Sequence, residues 1–392
     1  MGPLGIYGGT FNPPHLGHIR AAEYAAQSLG LDKILMIPSF ISPHKVLPDG
    51  SATAAQRLEM LEIAVQGSPR LQVCDLELRR GGTSYTYQTV EQLAEENPGR
   101  ELILFMGTDM FLSFLSWREP ERILKKAALG VFYRGERGEQ DAIDACKAKM
   151  EQLGAQIYLV QNDVTAISST DLRRMLVFDC ADAYLPAGVG EYIRKAGLYL
   201  TGQPKRALPM DALERTVTAL LKPSRVAHVL GCRDTAVELA RLWGADETDA
   251  ARAGLLHDVT KALDGPLQLA LCQAYGVCLD AFSVQNPKTL HAWTGSLVAE
   301  RIFGENKAVI DAIFSHTTGK AHMNTLEKII YVADYMEPNR DFPGVQRLRE
   351  LAFLDLDAAL KLGLEMTVAM LREQGRSVSP ASLRALEWLN EK

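Results

Sequence analysis

The chain has 392 residues, a net charge of -6 and 47% hydrophobic residues. That length exceeds the usual single-domain size and predicts two hydrophobic cores of roughly 150–200 residues each. The acidic balance and the lack of a long basic block argue against a nucleic-acid surface, although a small anionic substrate needs only a locally positive pocket. The six cysteines, at 74, 146, 180, 232, 272 and 278, form no C-x-x-C pair. They read as reduced thiols, with no thiolate metal site. The first residues run into an apolar strand pattern without a leader, and no apolar run is long enough to cross a bilayer, so a cytoplasmic enzyme is expected.

In chain order, short apolar runs predict strands at Leu4–Tyr7, Lys33–Pro38, Leu71–Leu78, Leu102–Met106, Leu129–Tyr133 and Ile157–Val160. Between them, Ile19–Leu29, Ala54–Val65 and Asp141–Leu153 have helical length and composition. This α/β alternation predicts a doubly wound parallel sheet with phosphate chemistry at its strand ends. A last short helix is expected near Gly188–Lys195, followed by a linker around Thr201–Pro209 and a boundary near residue 203. Beyond it the strand rhythm fades, and Met210–Leu221, Val226–Trp243, Asp246–Leu256, Leu290–Phe303, Ala308–Ser315 and Leu326–Met336 read as helices of an all-α second domain. Ala352–Leu360 and Met366–Leu371 are ambiguous between internal packing and a homo-oligomer interface.

Gly8-Gly9 follows the first strand, and with Thr10 and Phe11 leads toward a helix opening beside His18, so the chain can turn closely around an anion. His15 and His18, three apart at a helix start, can both face one phosphate. Ile167-Ser168-Ser169-Thr170-Asp171-Leu172-Arg173 starts another helix with hydroxyls and free N–H groups, and Arg173 supplies a guanidinium fork. Lys45, after Pro43-His44, is a candidate third cation. Together these groups would hold a triphosphate and neutralise charge moving from the α-phosphorus to departing pyrophosphate.

Gly8–His18 with Ile167–Arg173 resembles the nucleotidyltransferases that carry H-x-G-H and I-S-S-T-x-x-R motifs. More narrowly, Ser42-Pro43-His44-Lys45, Tyr85-Thr86, Gly107-Thr108-Asp109 and Trp117 resemble the bacterial nicotinate mononucleotide adenylyltransferases, over about residues 3–200. The resemblance implies transfer of AMP from ATP to nicotinate mononucleotide, giving nicotinate adenine dinucleotide and pyrophosphate, with magnesium on the ATP phosphates. It implies that His15 and His18 contact those phosphates, that Lys45 and Arg173 assist, and that the substrate's own phosphate is the nucleophile. Thr86 and Trp117 would orient the nicotinate ring, and Asp109 would hold a ribose or the environment of the phosphate-bound metal. Relatives acting on pantetheine phosphate or glycerol phosphate are the alternatives.

In the second half, His228, His257, Asp258, His291, His316 and Asp334 lie in or beside predicted helices, in a pattern suited to metal ligation. The segments Ala253–Lys261, His291–Gly295, His316–Gly319 and Ala333–Arg340 resemble the HD-domain metallophosphohydrolases, and among them the bacterial proteins that split diadenosine tetraphosphate into two ADP, over about residues 210–385. The resemblance implies two divalent metals, taken as iron. By position, His228, His257, Asp258 and Asp334 would serve one and Asp258, His291 and His316 the other, with Asp258 as the bridge. Lys261 would offset phosphate charge and Arg340 would contact substrate phosphate. HD domains also hydrolyse other nucleotides, so a different substrate, or a nucleotide-sensing or dimerising module, stays open. His322 falls outside the set.

Overall fold

The computed structural model describes residues 2–43, 47–48, 50–133, 138–161 and 167–391. It divides into two compact units, Met1–Gln203 and Pro204–Lys392.

The first unit is built on six parallel strands: β1 Leu4–Gly9, β2 Lys33–Pro38, β3 Leu71–Val73, β4 Leu102–Gly107, β5 Ala128–Tyr133 and β6 Ile157–Gln161. They lie in the order β3-β2-β1-β4-β5-β6. Leu4, Ile6, Leu35, Ile37, Leu102, Leu104, Leu129 and Val131 are buried in one apolar core. A parallel sheet covered on both faces demands such continuous apolar strands. The order reverses between β1 and β4, so their carboxyl ends open a crevice where ligands of such sheets bind. Gly8-Gly9 ends β1 and Gly107 ends β4 at that crevice. A Cβ on Gly9 would sit 3.1 Å from the Phe11 ring, which explains the glycine there.

One predicted strand is shorter than expected. The run Leu71–Leu78 pairs only through Val73, and Leu76–Arg80 is a short helix. Leu76 and Glu77, consecutive residues, are both buried. A strand would point them to opposite faces, whereas here both turn inward, with Glu77 accepting a hydrogen bond from Thr89 at 2.7 Å. The helix Thr86–Glu96 carries little sequence signal: its buried stripe is only Thr89, Val90 and Leu93.

The second unit is helical throughout its described residues. Its long helix Pro223–Trp243 crosses Glu247–Leu256 closely: a Cβ on Gly254 would sit 2.7 Å from the Arg233 Cα. Asp246, Asp264, Asp280, Asn306, Asn324 and Asp355 each cap a helix by accepting a backbone N–H. Such side chains satisfy donors that the first turn cannot. Two expected spans break. Leu290–Phe303 is α-helical to Val298 and then takes a π-turn over Ala299–Phe303. Ala352–Leu360 is interrupted at residues 353–355, where Asp355 caps the next helix, Leu356–Glu373.

Candidate active sites

In the first unit, His15 is the N-cap of the helix Leu16–Ser28, and its ring stacks on that of His18 with centroids 3.6 Å apart. The His15 backbone N–H donates to His18 Nδ1 at 3.2 Å. That acceptor role puts the proton of neutral His18 on Nε2. His15 is 6% exposed, and burial lowers its imidazole to about 4, so it is uncharged at neutral pH. Its Nδ1 is buried with no hydrogen-bond partner. Phe11 adopts φ 47° and packs edge-on against Tyr7 and His18.

The two phosphate motifs meet. Arg173 donates to Asn12 O at 2.7 Å and to Thr170 Oγ1 at 3.1 Å, and Ser169 donates to Pro13 O at 3.2 Å. Ser168 caps its helix through Asp171 N–H, and Ile167 is buried beneath it. The motif pattern did not reveal what supports this loop. Arg57, 1% exposed, donates to Thr10 O at 2.7 Å and to Ser39 O at 2.6 Å, tying the β1 and β2 ends together. Tyr199 donates to Asn12 Oδ1 at 2.6 Å. Both lie far from the motif in sequence, and only an arginine inside a helix with apolar neighbours hinted at one of them.

Thr86 opens the helix Thr86–Glu96, with Tyr85 rather than Thr86 as the N-cap. Thr86 and Trp117 come together in a small depression with Pro43, Tyr85 and Arg118. Gly107 caps the short helix Thr108–Leu112, and Asp109, in its first turn, is exposed. Lys45 lies outside the described residues.

In the second unit, Asp258 lies between two histidine pairs. His228, His257 and Asp258 form one trio and Asp258, His291 and His316 another, each with its ligand atoms within 4.8 Å of one another and all buried. Asp334 Oδ1 stands 3.1 Å from His228 Nε2 and 3.8 Å from His257 Nε2. Every Nδ1 has an acceptor: Glu337 Oε1 at 3.1 Å for His228, Gly254 O at 2.7 Å for His257, Lys288 O at 2.9 Å for His291 and Ile313 O at 2.6 Å for His316. With the protons there, the Nε2 lone pairs converge, at 3.3 Å between His228 and His257 and 3.1 Å between His291 and His316.

Burial lowers the imidazoles of His257 and His291, and that of His316 to about 4, which favours neutral rings. Neutral nitrogens facing one another repel unless a cation lies between them. Asp258 Oδ1 is likewise buried without a hydrogen-bond partner. Imidazole nitrogens oriented by acceptors behind them, together with a bridging carboxylate, form a donor set that fits divalent cations. Burial opposes the charge on Asp258, but its surroundings, Lys261 among them, outweigh this and hold the carboxyl below its ordinary range.

Three further residues belong to this centre. Arg225, one helical turn before His228, donates to Asp258 Oδ2 at 2.6 Å. Glu337 is 1% exposed and also accepts from Asn339 N–H at 2.7 Å. Thr317 Oγ1 is 3.1 Å from His291 Nε2 and 3.0 Å from His316 Nε2. Arg225 at three before a histidine, and Glu337 at three after Asp334, carry the helical spacing that could have revealed them. Lys261 Nζ is 2.8 Å from His291 Nε2, and Arg340 donates to Asp334 Oδ1 at 2.7 Å. Exposed His322 packs its ring against Trp388, away from this set.

Residues 6–175 match the cytidylyltransferase-like family and residues 225–339 match the HD domain. A probable nicotinate-nucleotide adenylyltransferase of Dictyoglomus thermophilum is 37% identical over 198 residues, covering 50% of this chain and 99% of that relative. The chain belongs to the nicotinate-nucleotide adenylyltransferase family. A family member from Aeromonas salmonicida, also a probable nicotinate-nucleotide adenylyltransferase, is 37% identical over 209 residues, covering 50% of this chain and 97% of its own. The structure of a predicted HD superfamily hydrolase involved in NAD metabolism, from Clostridium acetobutylicum, is 35% identical, covers 47% of this chain and 98% of that one, and gives a TM-score of 0.46. The HD domain implies divalent-metal binding. No helix among the described residues is long and apolar enough to cross a membrane.

Proposed function

We propose that the chain is a cytoplasmic enzyme with two activities. Residues 1–203 transfer AMP from ATP to nicotinate mononucleotide, and residues 204–392 hydrolyse diadenosine tetraphosphate to two ADP.

For the first, the carrying observation is that the β1 loop, the paired His15 and His18 and the Ile167–Arg173 helix start meet at the sheet's switch point. A phosphate oxygen of nicotinate mononucleotide attacks the α-phosphorus of ATP, the bond to the α,β-bridging oxygen breaks, and pyrophosphate leaves. The Nε2–H of His18 donates to phosphate oxygen, and Arg173 holds the loop while offering its remaining donors to the leaving group. Magnesium on the ATP phosphates would supply further charge neutralisation. Gly8, Gly9, Thr10 and Phe11 admit the nucleotide close to the backbone. Gly107 at the end of β4 and Asp109 in the first turn of the following helix would face it, and Thr86 and Trp117 would receive the pyridine ring. Pyrophosphate release with ATP and nicotinate mononucleotide tests this reading; a wild-type chain that releases none refutes it.

For the second, support comes from the convergence of His228, His257, Asp258 and Asp334, and of His291 and His316 across the same Asp258. Two divalent cations held there, iron by family resemblance, would activate water and draw charge from a phosphoanhydride. Lys261 and Arg340 neutralise phosphate oxygens, and Arg225 steadies Asp258. Water adds to phosphorus on one side of the central bridging oxygen, which leaves with the other half, so each product is ADP. Anaerobic turnover with ferrous iron should give ADP as the sole nucleotide product, lost in Asp258→Ala. AMP plus ATP would rule out the symmetrical cut, and absence of turnover would favour sensing or another phosphoester.

A further inference from the structure

The depression that gathers Thr86 and Trp117 contains a cation that the sequence motifs did not single out. Its lining is Pro43, Tyr85, Thr86, Trp117 and Arg118. The Arg118 guanidinium carbon lies 4.5 Å from the Tyr85 ring centroid, a cation–π contact that holds its planar fork in place. A second arginine nearby is arranged in the same way but differs in charge balance. Arg122 lies 4.5 Å over Tyr87, and Glu91 neutralises it with two hydrogen bonds, at 2.8 and 2.6 Å. Among the described residues no carboxylate pairs with Arg118. Among the described residues the subsite therefore combines aromatic surfaces, suited to a flat ring, with a positive charge that no carboxylate pairs.

We propose that Arg118 is a specificity-determining residue that makes this subsite favour an anionic pyridine ring over its neutral amide. The inference rests on the adenylyltransferase reading of residues 1–203 and goes beyond it, since that reading assigns the ring end only to Thr86 and Trp117. The two candidate mononucleotides share a ribose phosphate and differ only in the ring substituent, a carboxylate or a carboxamide. A carboxylate offers two acceptor oxygens to the guanidinium fork. A carboxamide offers one, and presents an NH2 group to the other donor, so only the acid gains a bidentate ion pair. Tyr85 limits the orientations of Arg118, reducing the entropy lost when the pair forms.

The test measures kcat/KM for nicotinate and nicotinamide mononucleotide with the full chain, comparing wild type, Arg118→Gln and Arg118→Lys. Arg118 is exposed, so its replacement leaves the core intact, which circular dichroism checks. Wild type should prefer the acid, and Arg118→Gln should lower the acid-to-amide ratio by about ten-fold, the lower part of the range for hydrogen bonds to charged groups. Arg118→Lys, which keeps the charge without the fork, should fall between them. The wild-type ratio should also shrink as salt rises from 0.05 to about 0.5 M, because an exposed pair is screened. An unchanged ratio in Arg118→Gln, an equal fall for both substrates, or a wild type that uses both equally overturns the proposal. A wild type that adenylates neither overturns the underlying reading as well, and is recognised without any variant.

Discussion

Glu337→Gln should weaken one of the two proposed cation sites in the helical unit and leave the other intact. Glu337 is buried, with one oxygen 3.1 Å from His228 Nδ1 and the other accepting from Asn339 N–H at 2.7 Å and from Asn339 Nδ2 at 2.8 Å. Glutamine has one oxygen to offer. If it faces His228, the amide NH2 lies against the Asn339 donors. If the NH2 faces His228, the imidazole proton moves to Nε2 and blocks the lone pair that would bind a cation. Carboxylates behind metal-ligating histidines typically account for 10–100-fold in affinity, or about 1.4–2.7 kcal/mol. Cobalt(II) titration of the full chain, read by visible absorption and calorimetry, should show one weakened binding event and one unchanged event, because His291 and His316 are oriented by Lys288 O and Ile313 O instead. Adenylyltransferase activity, followed as a control, should persist. Affinity within about two-fold of wild type at both sites, or equal weakening of both, would refute the reasoning.

Three further outcomes are expected. Burial holds His15 at about 4 against an ordinary 6.5, so the unfolded chain binds the extra proton between those values. The stability from keeping His15 neutral, ~3 kcal/mol, is present above pH 6.5 and lost as pH falls through 4; urea unfolding should show a shallower acid-side slope in His15→Asn than in wild type, the part due to buried His257, His291 and His316 remaining. Arg57→Met leaves Thr10 O and Ser39 O without their buried donor and should cost about 3 kcal/mol or more, with a raised KM for ATP. A mutant within about 0.5 kcal/mol of wild type would contradict that role. Gly254→Ala drives a methyl against the Arg233 backbone and should cost about 1–3 kcal/mol while disturbing His257 three residues on. Thermal unfolding and cobalt affinity report the two effects, and an unchanged melting temperature would count against the close crossing.

Much of this protein follows from short-range pattern. Gly8-Gly9 after an apolar run, His15 and His18 three apart, and His257-Asp258 after a buried stretch are local signals, because strand and helix periodicity determine which neighbours share a face. Where the local signal is thin, the pattern misleads. Leu71–Leu78 looks like one strand because apolar residues recur along it, but the alternation changes parity after Val73, Leu76 and Glu77 are both buried, and a helical turn is what permits it. The helix Thr86–Glu96 is faint in the sequence because its buried stripe includes a threonine and only two large apolar residues.

The sequence by itself determined the alternating and then helical architecture and the identity of most candidate ligands. Only the tertiary structure decided that Nε2 atoms of His228 and His257 come within 3.3 Å, and those of His291 and His316 within 3.1 Å, around a single Asp258. The same holds for Arg57 supporting the β1 loop and for Arg118, which pairs with no carboxylate among the described residues while Arg122 is neutralised. Periodicity is a property of neighbouring residues and survives in the sequence. Convergence depends on how several helices pack, and a donor's partner depends on which distant carbonyl or carboxylate packing brings within about 3 Å.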